Sequence, residues 1–350
     1  MDSNARSTPA AGAAAFSHDV LRMDCAGAVH EIEQSLRAIT GRRLRRRGLV
    51  LGVSGGIDSS VCAVLAARAL GPDRVRALLM PERDSSPSSL EKGKAACATA
   101  GIKYEIRDLT ASLEALGCYT KRDAAILKVF PQYRPGDKFK ITVAGGVTES
   151  DRVNFFSLVV QLSSEGGRLV TARLPVDSYL AIVAATNLKQ RVRKLTEYTL
   201  GEELNYGVIG TPNMLEYDQG FFVRGGDGLA DVKPIAHLYK TQVFELGRFL
   251  GLPREITEQT PSTDTYSLPQ TQEEFYFALP YHEMDLMLWA YMHHVPAAQA
   301  APVMRLTPQQ VERVYRDIQL KRRASLALHA PAVLIRAHDW GADGVEDLGA

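Results

Sequence analysis

Apolar positions along the chain follow two rhythms, and the switches between them mark where elements begin and end. Residues 18–40 have helical spacing, with Val20, Met23, Ala28, Ile32, Leu36 and Ile39, and Gly41 closes the segment. The continuous apolar run 49–53 predicts a buried strand, and the apolar-periodic residues that reach Leu70 predict a helix ended by Gly71-Pro72. A strand over 75–80, a helix reaching Ala100 and a strand over 103–109 follow. This alternation predicts an α/β fold, a doubly wound parallel sheet with helices on both faces, with ligands at the carboxyl ends of its strands.

After residue 130 the rhythm changes. Phe130-Pro131 and Pro135-Gly136 interrupt it, and 138–143, 152–162 and 168–173 read as β segments joined by Gly145-Gly146 and Gly166-Gly167. We read this as a small β insertion at about 130–175. A long helix is expected over 177–204, with Leu180, Val183, Ala184, Leu188, Leu195 and Leu200, then a strand over 206–209. Helices at 239–250, 272–278, 281–294 and 307–330 make up a helical C-terminal part. Residues 1–17 and 331–350 read as tails flanking a single domain, 18–330.

Composition narrows the class. With 45% hydrophobic and 23% charged residues, a 350-residue chain can bury a large core, and a formal charge of +1 gives no global field for nucleic acid. The cluster Arg42, Arg43, Arg45, Arg46 and Arg47 fits a solvated helix end. Cys25, Cys62, Cys97 and Cys118 are widely separated, with no metal spacing, as expected of inert thiols in a reducing cytoplasm. No apolar run reaches the length of about 18 residues that a membrane span requires.

Two stretches carry chemistry. Ser54-Gly55-Gly56-Ile57-Asp58-Ser59-Ser60 joins a strand to a helix start, where glycine amides, serine hydroxyls and the helix dipole can hold phosphate. Asp58 among phosphate oxygens would repel them unless a divalent cation lay between, which points to Mg2+. The second stretch, 210–231, reads as a long polar, glycine-rich loop at a strand end, where sites form; it brings together Thr211, Glu216, Arg224 and Asp231. On the preceding helix Lys189 and Arg193 share a face, whereas Arg191 lies about 160° away, so the helix is expected to sit between two anion sites.

The first string resembles the pyrophosphate loop, Ser-Gly-Gly-x-Asp-Ser, of the ATP pyrophosphatase superfamily, with its adenine nucleotide alpha hydrolase-like fold. The block 210–231 is similar to the NAD synthetase signature. Asn187 to Arg193 resembles that family's Asn-x-Lys-Ala-Arg-x-Arg, and Thr260-Pro261-Ser262-Thr263-Asp264 its Pro-Thr-Ala-Asp segment. The resemblance implies that Gly52, Val53, Ser54, Gly55, Gly56, Ile57, Asp58, Ser59, Thr211, Lys240 and Ser262 surround ATP, and that Asp58 and Glu216 hold Mg2+. It places Arg191, Arg224 and Asp231 around a dinucleotide acid, with Lys321 where the family has a C-terminal lysine; Asp58 and Lys240 are the catalytic pair.

The activity implied is amidation of the deamido-NAD carboxylate by ammonia, through adenylylation, in a homodimer whose substrate site lies at the subunit interface. The 48 residues ahead of the first strand are too few for a glutaminase domain, so free ammonia is expected, with room left for a separate glutaminase subunit. Neither nucleic acid nor membrane is an expected partner. Pro212 replaces the family's aspartate, Arg224 its lysine and Leu320 its histidine, and the β insertion has no counterpart. These departures define the alternative, a ligase of the same class acting on another carboxylic acid.

Overall fold

The computed structural model describes residues 16–144, 155–259, 266–270, 276 and 279–336. Strands β1 (Gly48–Gly52), β2 (Val75–Leu79), β3 (Lys103–Ile106) and β7 (Tyr206–Val208) form a parallel sheet in the order β3-β2-β1-β7. Side chains alternate across its pleat. Leu49, Leu51 and Val53 face one side, where they pack with α1 (Cys25–Ala38), α2 (Ile57–Leu70) and α3 (Pro87–Ala100). Val50 and Val208 face the other, against α4 (Thr110–Ala115), α5 (Cys118–Leu127) and α6 (Val176–Leu204). Helices therefore cover both faces, as the alternating pattern predicts.

The strands β4 (Lys138–Ala144), β5 (Phe155–Leu162) and β6 (Arg168–Arg173) pair only with one another, in an antiparallel sheet of order β4-β5-β6. Its apolar face, with Phe139, Ile141, Leu158 and Val160, closes on Ile126, Ile182 and Tyr266. Gly166 and Gly167 turn β5 into β6 with φ of 65° and 84°, which glycine adopts without a Cβ clash. After β7 come α7 (Met214–Gln219), α8 (Lys240–Phe249), α9 (Arg254–Thr257), α10 (Tyr281–Met292), α11 (Ala297–Met304) and α12 (Pro308–His329). Helices α10, α11 and α12 share a core of their own with Leu215 and Tyr239.

Several boundaries differ from the sequence reading. Residues 18–40 are not one helix: a 3-10 turn, His18–Leu21, precedes α1, because the Asp24 carboxylate accepts from Ala26 N (3.1 Å) and restarts the chain. Strand β3 stops at Ile106, and Ile209 makes only an isolated bridge to Val232. The stretch 210–231 is not a continuous loop. Asn213 and Glu216 form a reciprocal capping box that starts α7 inside it. Helices α4, α5, α9 and α11 carry too few periodic apolar residues to stand out in the sequence. The Gly145-Gly146 turn lies outside the described residues, as does the helix expected at 272–278 apart from Tyr276.

Candidate active site

A cleft of about 560 Å3 opens where β1 runs into α2. Gly52, Val53, Ser54, Gly55, Gly56, Ile57, Asp58 and Ser59 all line it, together with Thr211, Glu216 and Lys240. The turn is tight for a physical reason: Gly55 has φ of 84°, and a Cβ there would stand 2.5 Å from the Ser89 carbonyl oxygen and 3.0 Å from Gly93 N on α3. Serine hydroxyls brace it. Ser59 Oγ donates to the Gly56 carbonyl (3.1 Å) and accepts from Ser54 N (3.2 Å), and Ser60 Oγ donates to the same carbonyl (2.8 Å). The first turn of α2 thus presents its positive dipole end to the cleft.

Three charged groups converge beside the turn. The buried Lys240 ammonium donates to Asp58 Oδ2 and lies 3.6 Å from Glu216 Oε1. Burial pulls this ammonium toward neutrality, but Asp58 and Glu216 outweigh burial and hold it above its ordinary pKa. Asn213, fully buried, ties the group together: Nδ2 donates to Asp58 Oδ1 (3.0 Å), while Oδ1 accepts from Glu216 N (3.2 Å). Two carboxylates aimed at one cation form a donor set suited to Mg2+, which takes one or two carboxylates and completes its shell with water and phosphate oxygens. Among the described residues no group of three or more His, Cys, Asp or Glu is arranged to hold a metal.

The remaining expected residues lie elsewhere. Arg191 is exposed, its Nε donating to the Arg224 carbonyl (3.3 Å), and Arg224 Nη1 donates to the Ala327 carbonyl (3.2 Å). Asp231 accepts from Val208 N (2.8 Å) and from the Tyr198 hydroxyl (3.2 Å). Lys321 pairs with Asp317 (2.7 Å) and donates to the Tyr276 carbonyl (2.7 Å); burial lowers its pKa. None of these four is among the residues lining the cleft within one chain. Ser262 and the segment 260–264 lie outside the described residues.

Lys189 corrects the idea of a helix reaching for anions on two faces. Its ammonium is buried against Glu82 (3.0 Å) and Asp84 (2.6 Å), and Asp84 also takes Arg122 Nη1 (2.6 Å). Burial alone would raise the Asp84 pKa, yet Lys189 and Arg122 hold it below the usual range. Such a buried network fixes α5 and α6 against the loop after β2; Lys189, Arg193 and Lys194 of α6 all line the cleft, Lys189 held by Glu82 and Asp84 and Lys194 by Glu197 (2.6 Å).

Sequence reasoning missed Asn213, although the spacing Asn213-x-x-Glu216 is a helix-start signature. It also missed the aromatic wall: Phe156 of β5 stacks on Tyr179 of α6 (4.1 Å, 14°), and both line the cleft with Phe221, Tyr266 and Tyr276. Phe156 comes from the β insertion, whose role no spacing announces.

Known proteins match this chain in sequence and in fold. A model of the family described as NAD synthase matches residues 28–129 and 170–325, passing over most of the antiparallel sheet. The chain is 48% identical to an NH3-dependent NAD+ synthetase of Rhizobium rhizogenes, over 92% of this chain and 96% of that protein. It is 50% identical to that of Rhizobium meliloti, over 92% and 95%. Among solved structures, NMN synthetase from Francisella tularensis aligns with a TM-score of 0.61 at 21% identity, covering 89% of this chain and 99% of that one. The NH3-dependent NAD synthetase of Campylobacter jejuni, in complex with nitrate, aligns at 0.56 and 21%, covering 89% and 100%. At that identity the two structures speak for the fold alone.

Proposed function

The chain belongs to the NAD synthase family, and from that premise we propose that it is an ATP-dependent amide ligase converting deamido-NAD, ATP and ammonia into NAD+, AMP and pyrophosphate. The observation that carries this reading is the convergence of Asp58, Glu216 and Lys240 on a glycine turn at a helix N-terminus in one cleft.

The chemistry divides into two displacements. A carboxylate oxygen of the nicotinate group attacks the α-phosphorus of ATP, the bond to the bridging oxygen breaks, and pyrophosphate leaves with that electron pair. Ammonia then adds to the acyl carbon, the acyl–oxygen bond breaks, AMP departs and one proton is released to solvent. Neither step needs a protein nucleophile, so the chain's work is positioning and charge stabilisation.

Asp58 and Glu216 would hold Mg2+, which supplies charge neutralisation on the polyphosphate when bound. Lys240, kept charged by its neighbours, neutralises charge growing on the departing pyrophosphate, and the amides of the Ser54–Ser59 turn do the same. Thr211 lines the same cleft and belongs to the nucleotide side; the family resemblance assigns Ser262 to ATP as well.

Arg191, Arg224, Asp231 and Lys321 remain the acid-side candidates. Their position outside the cleft of a single chain fits a site completed by a second copy. Arg191 lies on a stripe of α6 with exposed Val176, Leu180 and Leu195, an apolar face that a homodimer would cover. Residues 18–330 act as one domain carrying the β insertion. Among the described residues no helix is long and apolar enough to cross a membrane, and we place the enzyme in the cytoplasm with free ammonia as nitrogen donor.

Purified protein incubated with ATP, Mg2+, ammonia and deamido-NAD is expected to form NAD+, AMP and pyrophosphate in equal amounts. AMP formed only when a different carboxylic acid replaces deamido-NAD would instead support the ligase of altered specificity.

A further inference from the structure

Lys240 opens α8, and what holds the first turn of α8 comes from a different layer of the molecule. Helix α10 is apolar around Asp285: Met284, Leu286, Met287 and Leu288 are all buried, and Asp285 itself is fully buried among them. A carboxylate there carries a desolvation penalty of several kcal/mol unless hydrogen bonds meet it. They do so at one place. Asp285 Oδ2 accepts from Thr241 N (2.7 Å) and from Thr241 Oγ1 (2.7 Å), in the first turn of α8. Asp285 Oδ1 has no hydrogen-bond partner among the described residues, so the carboxylate is oriented entirely by α8.

The side chain of Lys240 leaves this anchored turn toward Asp58 and Glu216. The turn that carries Lys240 is thus held by one carboxylate, through Thr241, while the Lys240 ammonium is held by two others. The other cap of the turn pairs Tyr239 with Gln242, whose Nε2 also donates to the Leu21 carbonyl (3.2 Å), and farther along α8 packs on α2 through Val243, Phe244 and Leu246. Asp285 adds a polar tie at the first turn itself, from α10, which packs into the C-terminal helical core with Tyr239 and Leu215, the latter on the helix that carries Glu216.

We propose that Asp285 is a positioning residue for the adenylylation step: by binding the first turn of α8 from the C-terminal helical layer, it aims the Lys240 ammonium at the phosphates of ATP. Asp285 touches neither substrate nor reacting atoms in this account; it acts through Lys240. Displacement of that ammonium would weaken a contact that matters most as pyrophosphate departs, so the loss falls on kcat rather than on binding of the acid.

The inference rests on the proposed ligase reaction, and the test keeps the two apart by reading AMP formation, which reports adenylylation whichever acid is turned over. Asp285→Asn, which keeps the shape and removes the charge, is expected to lower kcat about tenfold with KM for the acid within about twofold. The same substitution placed in a Lys240→Met background is expected to cost less than about twofold more, because the two act as a unit. An equal loss in both backgrounds, or a wild-type kcat for Asp285→Asn, overturns the inference; a fall in Tm with unchanged kcat per folded molecule does so too. Should Asp285→Asn fail to fold, Thr241→Val removes only the hydroxyl half of the anchor. It is expected to lower kcat about threefold, with the same collapse in the Lys240→Met background. Failure of the wild-type protein to amidate deamido-NAD, with AMP still formed from another acid, overturns the substrate reading alone.

Discussion

Each oxygen of Asp58 has a protein partner, Asn213 on Oδ1 and Lys240 on Oδ2, so the carboxylate is aimed before any ligand arrives. Truncating either partner should therefore be felt at Asp58. Asn213→Ala removes a helix cap worth about 1 kcal/mol and leaves Asp58 Oδ1 unpartnered. It is expected to lower the rate of pyrophosphate release about tenfold while Tm falls by only about 2–4 °C, read by a coupled assay and a thermal melt. Asp285 makes a different prediction. Burial, opposed by its bonds to Thr241, lifts its pKa from 3.8 to about 6, so the folded state binds this proton more tightly than the unfolded chain. Its contribution to stability is thus most favourable below pH 4 and declines as pH rises to about 6. The Tm-versus-pH curve should lose that downward component in Asp285→Asn, and an unchanged curve would contradict it. Asp58 was legible in the sequence because a carboxylate beside a glycine turn is chemically conspicuous, whereas Glu216 and Lys240 were reached only through the resemblance of their segments to a known family. Asn213 and Asp285 were not, since each looks like an ordinary polar residue until its partner is brought from another element.

At the scale of elements, the turn between β1 and α2 works because α3 lies against it. Gly55 and Gly71 both have φ near 85°, but a Cβ at Gly71 meets nothing within 4 Å, whereas one at Gly55 meets the α3 backbone. Alanine at either position pays backbone strain of about 1–2 kcal/mol. Only Gly55→Ala also pushes the turn from α3, so it should melt lower than Gly71→Ala and lose ATP-dependent turnover, while Gly71→Ala keeps near-normal kcat. Comparable activity of the two variants would remove the turn from the nucleotide site. The periodicities foretold β1, α2, β2, α3, α6, α8 and α12 within a few residues because each repeats its apolar spacing over its whole length. The short helices α4, α7, α9 and α11 were missed for the complementary reason, being too short to repeat a spacing: α4, α9 and α11 have no side-chain cap, and α7 rests on the Asn213–Glu216 box in a polar context.

Across the whole molecule, three packed units meet at one cleft: the doubly wound sheet gives the phosphate turn, the C-terminal helices hold α8, and the antiparallel sheet lends Phe156. That meeting depends on contacts between residues more than a hundred positions apart, which no local pattern encodes. Helix α6 runs through all of it, with one side buried against β1 and β7 and an opposite stripe open to solvent. Val176, Leu180 and Leu195 on that stripe are 74%, 58% and 67% exposed, and Arg191 falls among them at helical spacing. Exposed apolar side chains in a row are costly in an isolated chain and favourable once a second surface covers them, at roughly 25 cal/mol per Å2 buried. If that surface is a second copy, the copies bring Arg191 to the boundary where an acid substrate would meet both. Light scattering should then give a dimer for the native protein, and Leu180→Asp combined with Leu195→Asp should give a monomer. In the monomer the phosphate turn and Lys240 are untouched, so ATP binding by calorimetry should stay within about twofold while KM for the acid rises at least about tenfold. A monomeric variant with an unchanged KM for the acid would separate the acid site from this face of α6.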